Sequence, residues 1–148
     1  MKDFKKAFAV CLYTKNPFII EISAKEIKLD MEHYNASTPE EMSDENIRVF
    51  SDATKAAEFL ELYLKTLKNL DNKKLCKNKN APNLLFKRRY IVLALLGLKL
   101  STVRKGQRKS LKIGQLVNLY DQTYFYTVRL INEENLGKGQ WKYTYEQV

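Results

Sequence analysis

The residues able to do chemistry gather in the C-terminal half, and they are cations and flat rings, not nucleophiles or metal ligands. Lys87, Arg88 and Arg89 follow one another, and Arg104, Lys105, Arg108, Lys109 and Lys112 crowd a short stretch after them. Tyr120, Tyr124, Phe125, Tyr126, Trp141, Tyr143 and Tyr145 stud the segment that follows. Phosphates need cations at several points along a backbone, and unstacked bases need π surfaces to lie on. A basic loop beside an aromatic sheet offers both. The expected contact set is therefore Lys87, Arg88, Arg89, Arg104, Lys105, Arg108, Lys109 and Lys112, with Tyr124, Tyr126 and Trp141 as the ring platforms.

The charge is divided along the chain. Residues 1–72 hold 10 Lys and Arg against 13 Asp and Glu, a net of −3, whereas residues 73–148 hold 16 against 4, a net of +12; together they make the chain's +9. Residues 73–112 contain 13 basic residues and no acid. Such a density repels itself unless a polyanion offsets it, which points first to nucleic acid. An anionic membrane surface is the second candidate and an acidic host protein a further one; signals for a membrane span or for export are poor, and no membrane partner is expected. The longest uncharged apolar run, residues 90–98, is far short of the roughly 20 residues that span a bilayer. The apolar stretch at residues 7–13 resembles a signal peptide, but no Ala-x-Ala-like cleavage site follows it, so an intracellular, cytoplasmic location is expected.

Catalytic constellations are missing. His33 is the single histidine, and Ser/His/Asp or Cys/His schemes would both have to use it without local support. The five glycines form neither a P-loop nor GxGxxG. Cys11 and Cys76 have no metal spacing and read as two reduced thiols. No cofactor or metal is expected.

The elements that must hold the cationic cluster read as α+β: an acidic N-terminal ββ(α)βα unit over residues 1–72, a basic linker over 73–83, and a basic helix with a small β-barrel over 84–148. Residues 7–14 and 18–28 form a hairpin about Asn16-Pro17, with Ile27, Leu29 and Met31 extending the period of two. Thr38-Pro39-Glu40-Glu41 starts a short helix, residues 47–50 a strand. Ser51 or Asp52 caps a helix whose stripe is Ala56, Phe59, Leu60, Tyr63, Leu64, Leu67 and Leu70. Residues 84–98 are a helix, or a helix and then a strand, ending at Gly97. Residues 100–104, 115–120, 124–131 and 140–145 are short strands with close turns, the signature of a small curled sheet or barrel. Alternation puts Tyr124, Tyr126 and Val128 on one face and Phe125, Thr127 and Arg129 on the other.

The run Leu95-Leu96-Gly97-Leu98-Lys99-Leu100-Ser101-Thr102-Val103-Arg104, followed by Leu111-Lys112-Ile113-Gly114-Gln115-Leu116-Val117, resembles ASCH domains of the PUA-like barrel superfamily over about residues 95–131. The resemblance implies a cleft that binds RNA or a modified nucleoside. In the members that are enzymes, Lys99 and Thr102 would match the catalytic Lys and Thr, and Glu133 or Glu134 the acidic residue. Gln115 stands where that family prefers Asp. Residues 111–145 also resemble a KOW- or Tudor-type SH3-like barrel, which implies nucleic-acid or protein-tail binding.

The expected function is non-catalytic nucleic-acid binding, to DNA or RNA, mostly through backbone phosphates. The small size, the Lys/Asn-rich composition and the acidic–basic split suit a bacteriophage or mobile-element regulator of transcription or RNA, acting in the host cytoplasm or nucleoid. The alternatives are an ASCH-type RNA- or nucleoside-processing enzyme and a module that grips an acidic host protein.

Overall fold

A computed structural model describes residues 4–70, 78–121 and 123–148. The chain has mixed α+β architecture and divides into two compact units, residues 1–65 and 66–148. Nine basic against twelve acidic residues fall in the first and seventeen against five in the second, so this division carries the same −3 and +12.

The first unit holds a three-stranded antiparallel sheet in the order β2-β1-β3, built from β1 (Lys6–Cys11), β2 (Phe18–Ser23) and β3 (Ile47–Phe50). The strand after the Asn16-Pro17 turn stops at Ser23, and residues expected to extend it form helix α1 (Ala24–His33). The Ser23 hydroxyl accepts from the Glu26 N–H and caps the helix. Ile27 and Met31 fit a period of two or a spacing of four. The helix satisfies both while burying them, and Leu29 between them faces solvent. Ala7, Ala9, Ile27, Met31, Ala36 and Val49 make the core of this unit. His33 consequently ends a helix, edge-on to Tyr34.

The helix expected at Thr38 is one 3-10 turn, Pro39–Met42, which Thr38 does not cap through its side chain. Glu40 instead accepts from both the backbone N–H and the hydroxyl of Ser51, at 2.8 Å each. Helix α2 (Ala53–Asn69) follows, capped by Asp52, whose Oδ1 accepts from the N–H of Thr54 and Lys55. Ala56 and Tyr63 of its stripe are buried, and Phe59 meets Phe50 of β3 at 5.5 Å, whereas Leu64 is exposed.

The second unit is a curled five-stranded half-barrel in the order β4-β6-β7-β8-β5. Its strands are β4 (Asn83–Leu85), β5 (Leu100–Lys105), β6 (Leu116–Tyr120), β7 (Phe125–Gly137) and β8 (Gln140–Gln147); β4 runs parallel to β6 and the remaining pairs are antiparallel. The sheet is open: β4 pairs only with β6 and β5 only with β8. Helix α3 (Arg88–Leu95) packs on β5, β6, β7 and β8, and its apolar run Tyr90 to Ala94 is buried. Gly97, at φ +82°, lets the chain turn from α3 into β5, and the Leu98 N–H closes the helix end on Leu93 O.

One expectation is corrected here, and part of the segment read as a linker takes a defined place. Residues 84–98 begin as a strand, with Leu84 opposite Leu119, before the helix starts. The proposed linker is structural from Asn78 on; residues 71–77, with Cys76, lie outside the described residues. The reason is Asn118 on β6, which is fully buried. Its Nδ2 donates to Asn78 O, Ala81 O and Asn83 Oδ1, while its Oδ1 accepts from Asn78 N and Thr127 Oγ1. One amide thus provides the satisfaction that a polar segment against a sheet demands.

Candidate nucleic-acid interface

Register decides which rings and cations share a face. Leu100, Thr102 and Arg104 of β5 stand opposite Tyr145, Tyr143 and Trp141 of β8, and Leu130 of β7 opposite Tyr145. Tyr126 stands opposite Leu119, and Val128 opposite Val117. This is the concave face covered by α3, so Tyr143 and Tyr145 are core, and Tyr126 and Trp141 are half-buried on the same side. Tyr120 and Phe125 stack at 5.5 Å on the other face.

The loop after β5 is pinned onto that face. Gly106 N–H donates to Gly139 O, Arg108 N–H to the Tyr143 hydroxyl at 2.5 Å, and Gly114 N–H to Leu130 O. Gln107 Nε2 donates to Glu133, which occupies one of the two acids the ASCH resemblance singled out, and Leu111 is buried beneath the loop. The Arg108 backbone is thus fixed, while its side chain is exposed. Lys105, Lys109 and Lys112 remain exposed.

An open cleft of about 290 Å³ lies where the half-barrel does not close, lined by Asn83, Leu84, Leu85, Phe86, Arg104, Arg108, Tyr120 and Tyr145. Residues from both unpaired edges, β4 and β5, meet there. The Arg104 guanidinium lies over the Phe86 ring at 5.5 Å; Phe86 in turn stacks on Tyr90 at 4.5 Å and meets Tyr145 edge-on at 5.9 Å. Burial pushes the Tyr145 hydroxyl above the ordinary tyrosine range; the Thr102 hydroxyl and the cations of Arg108 and Arg104 pull the other way without reversing it. Tyr145 therefore stays a neutral phenol, able to donate. The Thr102 oxygen beside it is buried and makes no hydrogen bond of ordinary geometry among the described residues.

The cleft lining contains no carboxylate. Arg104, Lys105, Arg108, Lys109 and Lys112 make no ion pair among the described residues, where the pairs are Lys6–Glu21 and Arg88–Asp121. Arg88 is thus largely spoken for, held at 2.8 Å by Asp121 and lying 5.0 Å over Tyr124. Lys87 precedes α3 as its capping position and is exposed, while Arg89 is half-buried.

Of the expected contact set, then, Arg104 and Arg108 converge on one cleft. Lys105, Lys109 and Lys112 flank them on the loop, and Arg88 and Tyr124 form a separate cluster. Phe86, Tyr120 and Tyr145 line the cleft without having been in that set. Tyr120 and Tyr145 were visible as aromatics, but Phe86 becomes a site residue only through the parallel pairing of β4 with β6. Lys99 is exposed ahead of β5 and Thr102 faces inward; neither lines the cleft.

Among the described residues no group of His, Cys, Asp or Glu could hold a metal ion, and no helix is long and apolar enough to cross a membrane. Cys11 is buried and free. Comparison with protein-family models, with curated proteins and with solved structures finds no match for this chain.

Proposed function

We propose that the second unit binds nucleic acid without turning it over, chiefly through backbone phosphates. The observation that carries this reading is the carboxylate-free cleft holding Arg104 and Arg108, flanked by the exposed Lys105, Lys109 and Lys112 with no acid paired to any of them. Cations left uncompensated at this density are stabilised by a partner that brings several phosphates, and their counterion release supplies the affinity. Binding is favoured over ASCH-type turnover because Lys99 is exposed ahead of β5 and Thr102 faces inward, so neither lines the cleft where a substrate would sit.

In fold terms the reading favours a PUA-like over an SH3-like barrel. Helix α3 ending at Gly97 and leading into β5 follows the order that the ASCH resemblance implies. An SH3-like module over 111–145 would leave out β4 and β5, which belong to the same sheet.

The test is a salt titration of binding to random duplex DNA and to single-stranded RNA. Neutralising five phosphates predicts a log–log slope of about −4.5 on a duplex and about −3.5 on a single strand. No binding to either at low salt, or a slope near zero, refutes the reading. An acidic protein partner is separated by pull-down from nuclease-treated lysate, in which a nucleic-acid-bridged partner is lost and a direct one survives.

A further inference from the structure

We infer that the gap between the two unpaired sheet edges receives one unstacked nucleotide of a single strand, its phosphate gripped by Arg104 and Arg108. The inference rests on the nucleic-acid reading above and adds to it a preference for single strands.

The size of the cleft argues for this. At about 290 Å³ it lies at the small end of ligand pockets. A single nucleotide is of that order; a duplex, with its bases paired and stacked inside, presents only its phosphates to such an opening. The lining argues the same way. Arg104 has one face on Phe86, which is backed by Tyr90, so the guanidinium is held in place before any ligand arrives. Phe86 itself is only 8% exposed and is closed off by Tyr90, Arg104 and Tyr145, so it supports the platform and does not serve as one. The surface offered to a base is the other face of Arg104 and the apolar side chain of Leu85, which is exposed at the mouth. A planar guanidinium both stacks on a base and pairs with a phosphate, which an ammonium cannot do. Tyr145, kept as a neutral phenol, adds a donor, and Arg108 a second fork.

The experiment is anisotropy of a short labelled oligothymidylate, single-stranded and as its duplex, at one fixed salt concentration. It is run on the full chain and on Arg104→Lys, Arg108→Gln and Lys109→Gln. The single strand is expected to bind about tenfold tighter than the duplex, the scale of one stacked base. Arg104→Lys keeps the charge but loses the fork and the stack, and should remove most of that ratio; Arg108→Gln should reduce it too. Lys109 lies on the same loop outside the cleft, and Lys109→Gln should weaken both forms by one common factor. Thymidine monophosphate should shift the ring resonances of Phe86 and Tyr145. A melting curve checks each variant, and if Arg104→Lys does not fold, the loop variant Arg108→Gln decides. Equal binding of both forms, or a ratio unchanged in both arginine variants, overturns the cleft while leaving nucleic-acid binding standing. Absence of binding to either form by the unaltered chain at low salt overturns both. Capture of an oligoglutamate peptide with the same Arg104→Lys sensitivity, in place of the oligonucleotide, likewise overturns it.

Discussion

Replacing Asn118 by Leu should cost the second unit about 4 kcal/mol, because it removes the centre of a buried polar junction while keeping the same branched side-chain skeleton. Leu leaves no cavity, so the loss is the desolvation penalty of the groups abandoned. Asn83 is exposed and can turn to water, whereas Asn78 N–H, Asn78 O, Ala81 O and the Thr127 hydroxyl lose their bonds to Asn118 in a part-buried setting. At about 1 kcal/mol for each of these four, the sum is the figure given. Trp141 is the sole tryptophan and lies on β8, so its fluorescence in a urea titration reports this unit directly. With a urea slope typical of a small domain, the midpoint should fall by about 2 M. Asn118→Asp should be worse at neutral pH, since it keeps the acceptors, loses both donors and aims a charge at two carbonyls. Burial would raise that carboxyl in the folded state, so the variant's stability is fullest below the ordinary carboxylate range and is lost as pH rises through the raised value. Because residues 78–86 carry Phe86 to the cleft, Asn118→Leu should also weaken oligonucleotide binding. A midpoint shift below about 0.5 M, at the same slope, would refute the claim that this amide organises the segment.

Three further outcomes are expected. Tyr145 is held neutral by burial, so the folded state keeps its proton to higher pH than the unfolded chain; the stability this gives is present below the ordinary tyrosine range and disappears as pH rises through the raised value, and Tyr145→Phe should flatten the alkaline limb of a stability–pH curve. Asp52→Ala removes the cap of α2 and should cost about 1 kcal/mol, measured by thermal unfolding with helix content as the signal. Lys138 at φ +54° and Gly139 at φ +76° are the two central residues of the turn between β7 and β8, the left-handed pair of a type I′ turn, so Lys138→Asn should stabilise by roughly 0.5 kcal/mol and raise the melting temperature, whereas a fall would contradict that turn type.

The strands of the second unit were legible because each is a short run of alternating or β-branched residues between turn signals. Residues 100–104, 115–120, 124–131 and 140–145 differ from β5 to β8 mainly at their ends. Helix α2 and its Asp52 cap were equally readable. The failures share a cause. Ile27, Leu29 and Met31 satisfy two periods at once, and only the Ser23 cap and the position of the core decide between them. Residues 83–85 have no strand signature of their own, being Asn-Leu-Leu after a proline, and become β4 because Asn118, far along the chain, binds the segment to β6.

The sequence by itself determined the separation of charge, the absence of acid through residues 73–112, and the cationic loop at 104–112, since these are properties of composition and local order. Tertiary structure decided which of those cations act together. Arg88 is matched to Asp121 and Arg104 is laid on Phe86, and these pairings join residues 33 and 18 positions apart. Alternation could say that half the aromatics face inward, but not which half. That depended on where α3 packs, and α3 took the concave face, making Tyr143 and Tyr145 core and leaving Tyr145 at the floor of a cleft. The cleft itself exists because a five-stranded sheet curls without closing, and the edges it leaves unpaired belong to the first and last strands of its spatial order, which no local pattern records.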